Sequence, residues 1–119
     1  GTTRDELTSL CRCWSAALEA SDLDGIASFF ADDGVLVLAG VPLVRGASAI
    51  RDLFAAGRAA GGPVPTFEPG QVWESGDLVV DVGTYRVAGD AGGHGKYVVV
   101  WERQPDGSLK AIVDAPVAD

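Results

Sequence analysis

The sequence predicts an α+β fold in which three N-terminal helices pack on one face of a curved antiparallel sheet. Three observations point to it. Apolar residues recur at helical spacing through the first sixty positions. From Thr66 onward the pattern becomes extended, rich in Val, Thr and Tyr. Short Gly-, Asp- and Pro-containing turns then separate four consecutive strands, which makes a meander. Helices first and strands after is the order of an α+β architecture. At 119 residues the chain suits one domain, 1–119. With 47% hydrophobic and 22% charged residues, an ordered globular domain is expected rather than a disordered segment.

Leu7, Leu10, Cys11, Trp14, Ala17 and Leu18 form one stripe, so a helix is expected over Thr3–Ala20, with Arg12, Ser15 and Glu19 on its wet side. Asp22 is a suitable N-cap for a second helix that turns Ile26, Phe29 and Phe30 inward and ends by Asp33-Gly34. Val35–Ala39 reads as a strand. Gly40-Val41-Pro42 turns it and Leu43–Arg45 returns. A third helix is expected over Ala47–Ala60, with Ile50, Leu53 and Phe54 on one face, stopped by Gly61-Gly62-Pro63. The four later strands are Thr66–Glu74, Leu78–Ala88, His94–Arg103 and Leu109–Val117. Turns are expected at 75–77, 89–93 and 105–107.

Seventeen acidic residues against nine basic ones give a net charge of −8. Such a surface repels phosphate backbones and anionic bilayers, so neither nucleic acid nor a membrane is an expected partner. No apolar run approaches the ~20 residues of a membrane helix. The polar opening segment Gly1–Glu6 lacks a signal-peptide core, and a cytoplasmic location is the expectation. Cys11 and Cys13 point about 200° apart on a helix, which argues against a disulfide between them. With His94 as the one histidine, a Cys/His zinc site is not expected either.

Specific residues add a family resemblance. They are Trp14–Ile26, Phe30-Ala31-Asp32-Asp33-Gly34, Gly46–Arg51, Gly95-Lys96-Tyr97 with Trp101, and Asp106-Gly107. Together they resemble the nuclear transport factor 2-like superfamily, whose members include SnoaL-like polyketide cyclases and ketosteroid isomerase. The resemblance spans nearly the whole chain. It implies a cone-shaped, cystatin-like fold with an apolar cavity open at one end, and a homodimer formed through the outer face of the sheet. It is specific for fold, which by itself does not determine activity. Ketosteroid isomerase works with a base carboxylate and two oxyanion donors, a tyrosine and a protonated carboxyl. By the resemblance those three positions fall on Trp14, Leu38 and Val99, where no residue can serve as the base. Steroid isomerase chemistry by that constellation is therefore not expected.

Asp114 is the candidate catalytic residue. It interrupts the apolar strand Ala111–Val117, and by alternation it shares a face with Ile112 and Pro116. The resemblance turns that face toward the cavity, where a carboxyl with a raised pKa can act as general acid or base. The competing reading is a structural carboxylate at a strand end or bonded to the first helix. Trp14, Leu38, Tyr85, Tyr97, Val99 and Trp101 are the candidate ligand-binding residues and suit a flat apolar molecule. Alternatively, the same rings fill the cone. Asp81 lies in a strand apolar on both faces, so it either joins Asp114 as a second carboxylate or meets a partner subunit. Trp73 serves the core or a dimer surface. Asp32-Asp33 is expected to end a helix, and His94 to be exposed near a turn.

No phosphate loop follows Gly92-Gly93-His94-Gly95, and no Gly-x-Ser-x-Gly elbow occurs. No cofactor and no metal are expected. The function expected is binding of a small apolar molecule, with cyclisation, isomerisation or dehydration through Asp114. The alternative is a non-catalytic ligand-binding or dimerisation module.

Overall fold

The computed structural model describes residues 1–89 and 93–119. Asp90, Ala91 and Gly92, part of the turn expected at 89–93, lie outside the described residues. The elements are α1 (Thr3–Glu19), α2 (Leu23–Ser28), β1 (Phe30–Leu36), β2 (Val44–Arg45), α3 (Ala47–Ala59), β3 (Pro65–Ser75), β4 (Leu78–Val87), β5 (His94–Arg103) and β6 (Leu109–Ala118). The six strands form one curved sheet in the order β2-β1-β6-β5-β4-β3.

Helix α1 starts at a capping box. The Thr2 hydroxyl accepts from the Asp5 N–H, and the Asp5 carboxylate accepts from the Thr2 N–H. Its stripe buries Leu7, Trp14 and Leu18 against the sheet. Ser15 Oγ donates to the Pro65 carbonyl at 2.9 Å, and Arg103 pairs with Glu6 at 2.7 Å, which ties α1 to β3 and β5. Asp22 caps α2 by accepting from the Gly25 N–H at 3.0 Å. Helix α3 packs on α2 and β1 and buries Ile50.

Two features differ from the sequence expectation. The first concerns residues 29–36. Helix α2 ends at Ser28, and β1 begins at Phe30 rather than Val35. The Ala111 N–H donates to the Phe29 carbonyl at 2.7 Å, which draws the chain into the sheet directly after the helix. Asp32 and Asp33 therefore lie exposed within β1, at the irregular stretch where its register with β6 shifts, and they do not end a helix. Gly34 is a strand residue rather than a helix terminator. A Cβ there would stand 2.8 Å from the Ala111 carbonyl oxygen, so glycine permits the close approach of β1 to β6. Strand β1 runs parallel to β6, while every other pair in the sheet is antiparallel. Residues 37–39, expected to extend this strand, lie beyond its end.

The second is a bulge in β6. Val113 faces Val100 and Ala111 faces Trp101, which leaves Ile112 as the extra residue. Ala111, not Ile112, therefore shares the inner face with Asp114, and Pro116 joins them opposite Tyr97.

The register then places the functional side chains. Asp81 faces Val99, Val99 faces Asp114, and Asp114 faces Leu36, a row across four strands on the helix-covered side. The next inner row holds Gly83, Tyr97 and Pro116. The opposite side of the sheet carries Trp73, Val80, Val82, Val98 and Val117, with Trp73 56% and Val117 50% exposed.

Candidate functional site

The helices and the inner face of the sheet enclose a cavity of about 640 Å³. This lies within the size range of small-molecule sites, roughly 300–1,000 Å³. Its wall is overwhelmingly apolar. Its lining includes the rings of Trp14, Phe67, Tyr85, Tyr97 and Trp101. Asp114, Leu38 and Val99 lie on the same wall, as does Asp81.

Trp14 is the hub of the aromatic part. It stacks on Phe29 at 5.3 Å and meets Phe30, Phe67 and Trp101 edge-on at 5.3, 5.8 and 6.4 Å. Such geometries suit the ring quadrupoles. The indole N–H groups of Trp14 and Trp101 are buried and have no partner among the described residues. Buried donors of this kind normally find an acceptor.

Asp114 sits at the middle of the sheet, because β6 is flanked by both β1 and β5. It is 8% exposed, and its carboxyl makes no hydrogen bond to any described residue. Burial alone raises its pKa to about 7, since the charged form has lost water without gaining a partner. Its backbone carbonyl accepts from the Val37 N–H at 2.8 Å. The side chain is therefore neither a strand-end cap nor bonded to α1.

Asp81 resolves to the inner face and is 1% exposed. It differs from Asp114 in being bonded at both oxygens. Tyr97 donates its hydroxyl to Oδ2 at 2.6 Å, and the Gly70 N–H donates to Oδ1 at 3.0 Å. The Gly70 N–H is free to do so because Pro69 and Gly70 together oppose Gly83, forming a bulge in β3. Tyr97 lies flat across Gly83, and Tyr85 across Gly95, its cross-strand partners. A Cβ at Gly95 would stand 2.5 Å from the Tyr85 ring. Burial, then the bond to Asp81, pushes the Tyr97 hydroxyl far above its ordinary pKa, so it stays protonated. Cys11 Sγ lies 3.9 Å from the same hydroxyl, and burial raises the thiol to about 11. Cys11 is thus a half-buried wall residue in its thiol form rather than a nucleophile.

The remaining candidates stand apart. His94 is exposed at the sheet's end, where Nδ1 meets Asp119 at 2.6 Å. Trp73 is on the outer face. Both cysteines are free. Among the described residues no three His, Cys, Asp or Glu side chains converge as metal ligands would, and no helix is long and apolar enough to cross a membrane. Sequence reasoning did not anticipate Phe67 as a wall residue or Gly70 as a donor. The Pro69-Gly70 pair inside an expected strand was the available signal, since both residues mark bulges.

A family model described as a SnoaL-like domain matches residues 12–112. No curated protein matches the chain in sequence. Among solved structures, the chain is similar to an NTF2-like protein of unknown function from Pseudomonas putida KT2440. That likeness is 22% identity over 98% of this chain and 87% of the other, with a TM-score of 0.79. It is similar also to an NTF2-like protein with a cystatin-like fold from Novosphingobium aromaticivorans, at 18% identity over 97% and 80% and a TM-score of 0.78. A third is a ketosteroid isomerase-like protein from Erwinia carotovora atroseptica, at 15% identity over 98% and 94% and a TM-score of 0.77. At these identities the likeness is one of fold.

Proposed function

The chain belongs to the SnoaL-like family, and on that premise we propose that it binds a small apolar carbonyl compound and moves a proton on it through Asp114, without a cofactor. The observation that carries this reading is a buried carboxyl, without a partner among the described residues, on the wall of an apolar cavity. Its pKa of about 7 leaves both forms populated near neutrality, the condition a general acid–base group needs. The carboxylate takes a proton from the carbon next to the carbonyl and returns it at another position, so that the substrate is isomerised and Asp114 is restored. The carbonyl oxygen gains electron density in that step. The buried N–H groups of Trp14 and Trp101, without a partner among the described residues, would reach that oxygen through a shift of their rings.

A panel of bicyclic and tricyclic ketones tests this, with 1-tetralone as its simplest member. Binding is followed by amide chemical-shift changes, and proton transfer by deuterium uptake at the α carbon in D2O. Uptake should be accelerated by the protein, rise with pH through about 7, and fall at least 100-fold in Asp114→Asn. Binding with no acceleration over Asp114→Asn supports the second reading, a module that only holds its ligand. That reading draws on Trp14, Leu38 and Val99 occupying the positions where the isomerase resemblance would put proton-handling groups. A panel that does not bind at all overturns both.

We propose further that two copies associate through the outer face of the sheet, where Trp73, Val98 and Val117 are exposed beside half-buried Val80 and Val82. An apolar strip of this kind on an otherwise acidic protein is a candidate interface. Light scattering should give twice the chain mass, and Val98→Lys should return the monomer. A monomeric parent overturns the proposal.

A further inference from the structure

The cavity has a second polar feature that proton transfer through Asp114 does not use. Asp81 and Asp114 stand in one row across the sheet with Val99 between them. Two strand spacings put their backbones about 10 Å apart. The two carboxyls have opposite hydrogen-bonding states. Asp114 has no hydrogen-bond partner among the described residues. Asp81 is engaged at both oxygens, and the hydroxyl of Tyr97 is committed to it. What Asp81 and Tyr97 still offer to the cavity is therefore lone pairs alone. A carboxylate has room for about four donors and here receives two. The phenol has given its proton and retains acceptor capacity. Cys11 adds only a weak donor, at 3.9 Å.

This arrangement is built rather than incidental. Two glycines are needed for it, and a third shapes the wall beside it. Gly70 makes the bulge whose N–H braces Asp81, and a side chain there would run into the Val82 carbonyl. Gly83 leaves room for the Tyr97 ring to lie across β4, and Gly95 does the same for Tyr85.

We propose that Asp81 and Tyr97 form an acceptor pole that selects ligands carrying a hydroxyl group at the end remote from the carbonyl on which Asp114 acts. The substrate class is then a flat, neutral, apolar molecule with a carbonyl at one end and a hydroxyl at the other. An ether or ketone at the hydroxyl position meets acceptor against acceptor and is disfavoured. A hydrocarbon there leaves buried lone pairs unanswered. The inference rests on the ligand-binding reading above and names the recognition that goes with it.

The test is a binding series on the purified protein with 1-tetralone, 6-hydroxy-1-tetralone and 6-methoxy-1-tetralone. Titrations are followed by intrinsic tryptophan fluorescence and checked by amide shifts. The parent should prefer the hydroxyl compound by about tenfold over the unsubstituted ketone, and by more over the methoxy compound. Asp81→Asn exchanges one acceptor for an amide donor, so the preference of hydroxyl over methoxy should shrink or reverse. Tyr97→Phe is the second variant, checked for folding by its thermal transition, and should lower the hydroxyl preference likewise. A purely structural bracing role would change the affinity for all three ligands together and leave their ratios unmoved.

The pole is overturned by a parent that does not distinguish hydroxyl from methoxy, or by a preference that survives in both variants. Selectivity is read as binding, so it should persist in Asp114→Asn even as deuterium uptake is lost. Loss of uptake with selectivity intact in Asp114→Asn, and a changed ratio of hydroxyl to methoxy affinity in Asp81→Asn, thus report separately on the two carboxyls. A parent that binds none of the three overturns the ligand-binding reading and the pole with it.

Discussion

Replacing Asp114 with asparagine should open a stability gap over the parent that widens by about 4 kcal/mol between pH 4 and pH 8. The sign follows from linkage. Unfolded, the carboxyl titrates near its ordinary 3.8; folded, it titrates at about 7. Below 3.8 both states are protonated and the buried carboxyl is neutral. Between 3.8 and 7 the unfolded chain has released the proton and the folded one has not, so each unit of pH costs the fold about 1.4 kcal/mol. Above 7 the folded carboxyl ionises and the penalty stops growing. The favourable contribution is thus fully present below 3.8 and lost as pH rises through 7. Asparagine has no such titration. Urea unfolding of both proteins at half-unit intervals of pH measures the gap directly. A constant offset across the range would mean that Asp114 is ionised in the fold and partnered.

The same penalty gives Asp114 a functional meaning. A carboxylate in the middle of an apolar sheet is a poor choice for stability, and an isosteric or hydrophobic residue would serve the fold better. A protein that keeps a strained, destabilised group at a cavity wall has traded stability for chemistry. Asp81 makes the contrast clear. It is more deeply buried, but its bonds to Tyr97 and to the Gly70 bulge compensate its lost hydration. One row of the sheet therefore carries one carboxyl compensated by the protein and one uncompensated. The uncompensated one is free to exchange its proton.

How far this was legible in the sequence depended on which neighbours decided each residue's position. Helix α1 was legible because its burial is one-sided at a period of 3.6, so that Leu7, Trp14 and Leu18 declare their face locally. The meander β3–β6 was legible because each strand pairs with its sequence neighbour across a short turn. Strand β1 was not, since its partner is the last strand of the chain, and the polar pair Asp32-Asp33 breaks its apolar run. Asp114 stood out because a single charge interrupts an apolar strand. The facing of Asp81 stayed open, because β4 is apolar on both sides, with Val79 inward and Val80 and Val82 outward. Alternation also placed Ile112 on the wrong side, because a bulge adds a residue that period-2 counting does not see. The partner oxygens of Tyr97 and Gly70 needed the fold itself, since they join residues from three strands.

Trp14→Ala should lower the stability of the protein by about 3–5 kcal/mol, whereas Trp14→Phe should change it by no more than about 1.5 kcal/mol. Trp14 is 6% exposed and touches rings from the end of α2, from β1, from β3 and from β5. Truncation removes four aromatic contacts at once and enlarges a cavity that the neighbours, held by the sheet, cannot collapse to fill. Against a total of about 5–15 kcal/mol for a typical domain, this approaches unfolding at physiological temperature. Phenylalanine keeps a ring in the same place and removes the buried N–H. That N–H has no partner among the described residues, so its removal forfeits no internal hydrogen bond and relieves a desolvation penalty. The two variants thus separate the packing role of the ring from the role of its donor. Urea unfolding of the unliganded proteins reads the first. If Trp14→Phe proves as damaging as Trp14→Ala, the N–H is bonded within the fold and is not available to a ligand. If it is near neutral in stability but weakens 1-tetralone binding several-fold, the donor is held for the carbonyl oxygen, the role that proton transfer through Asp114 requires of it.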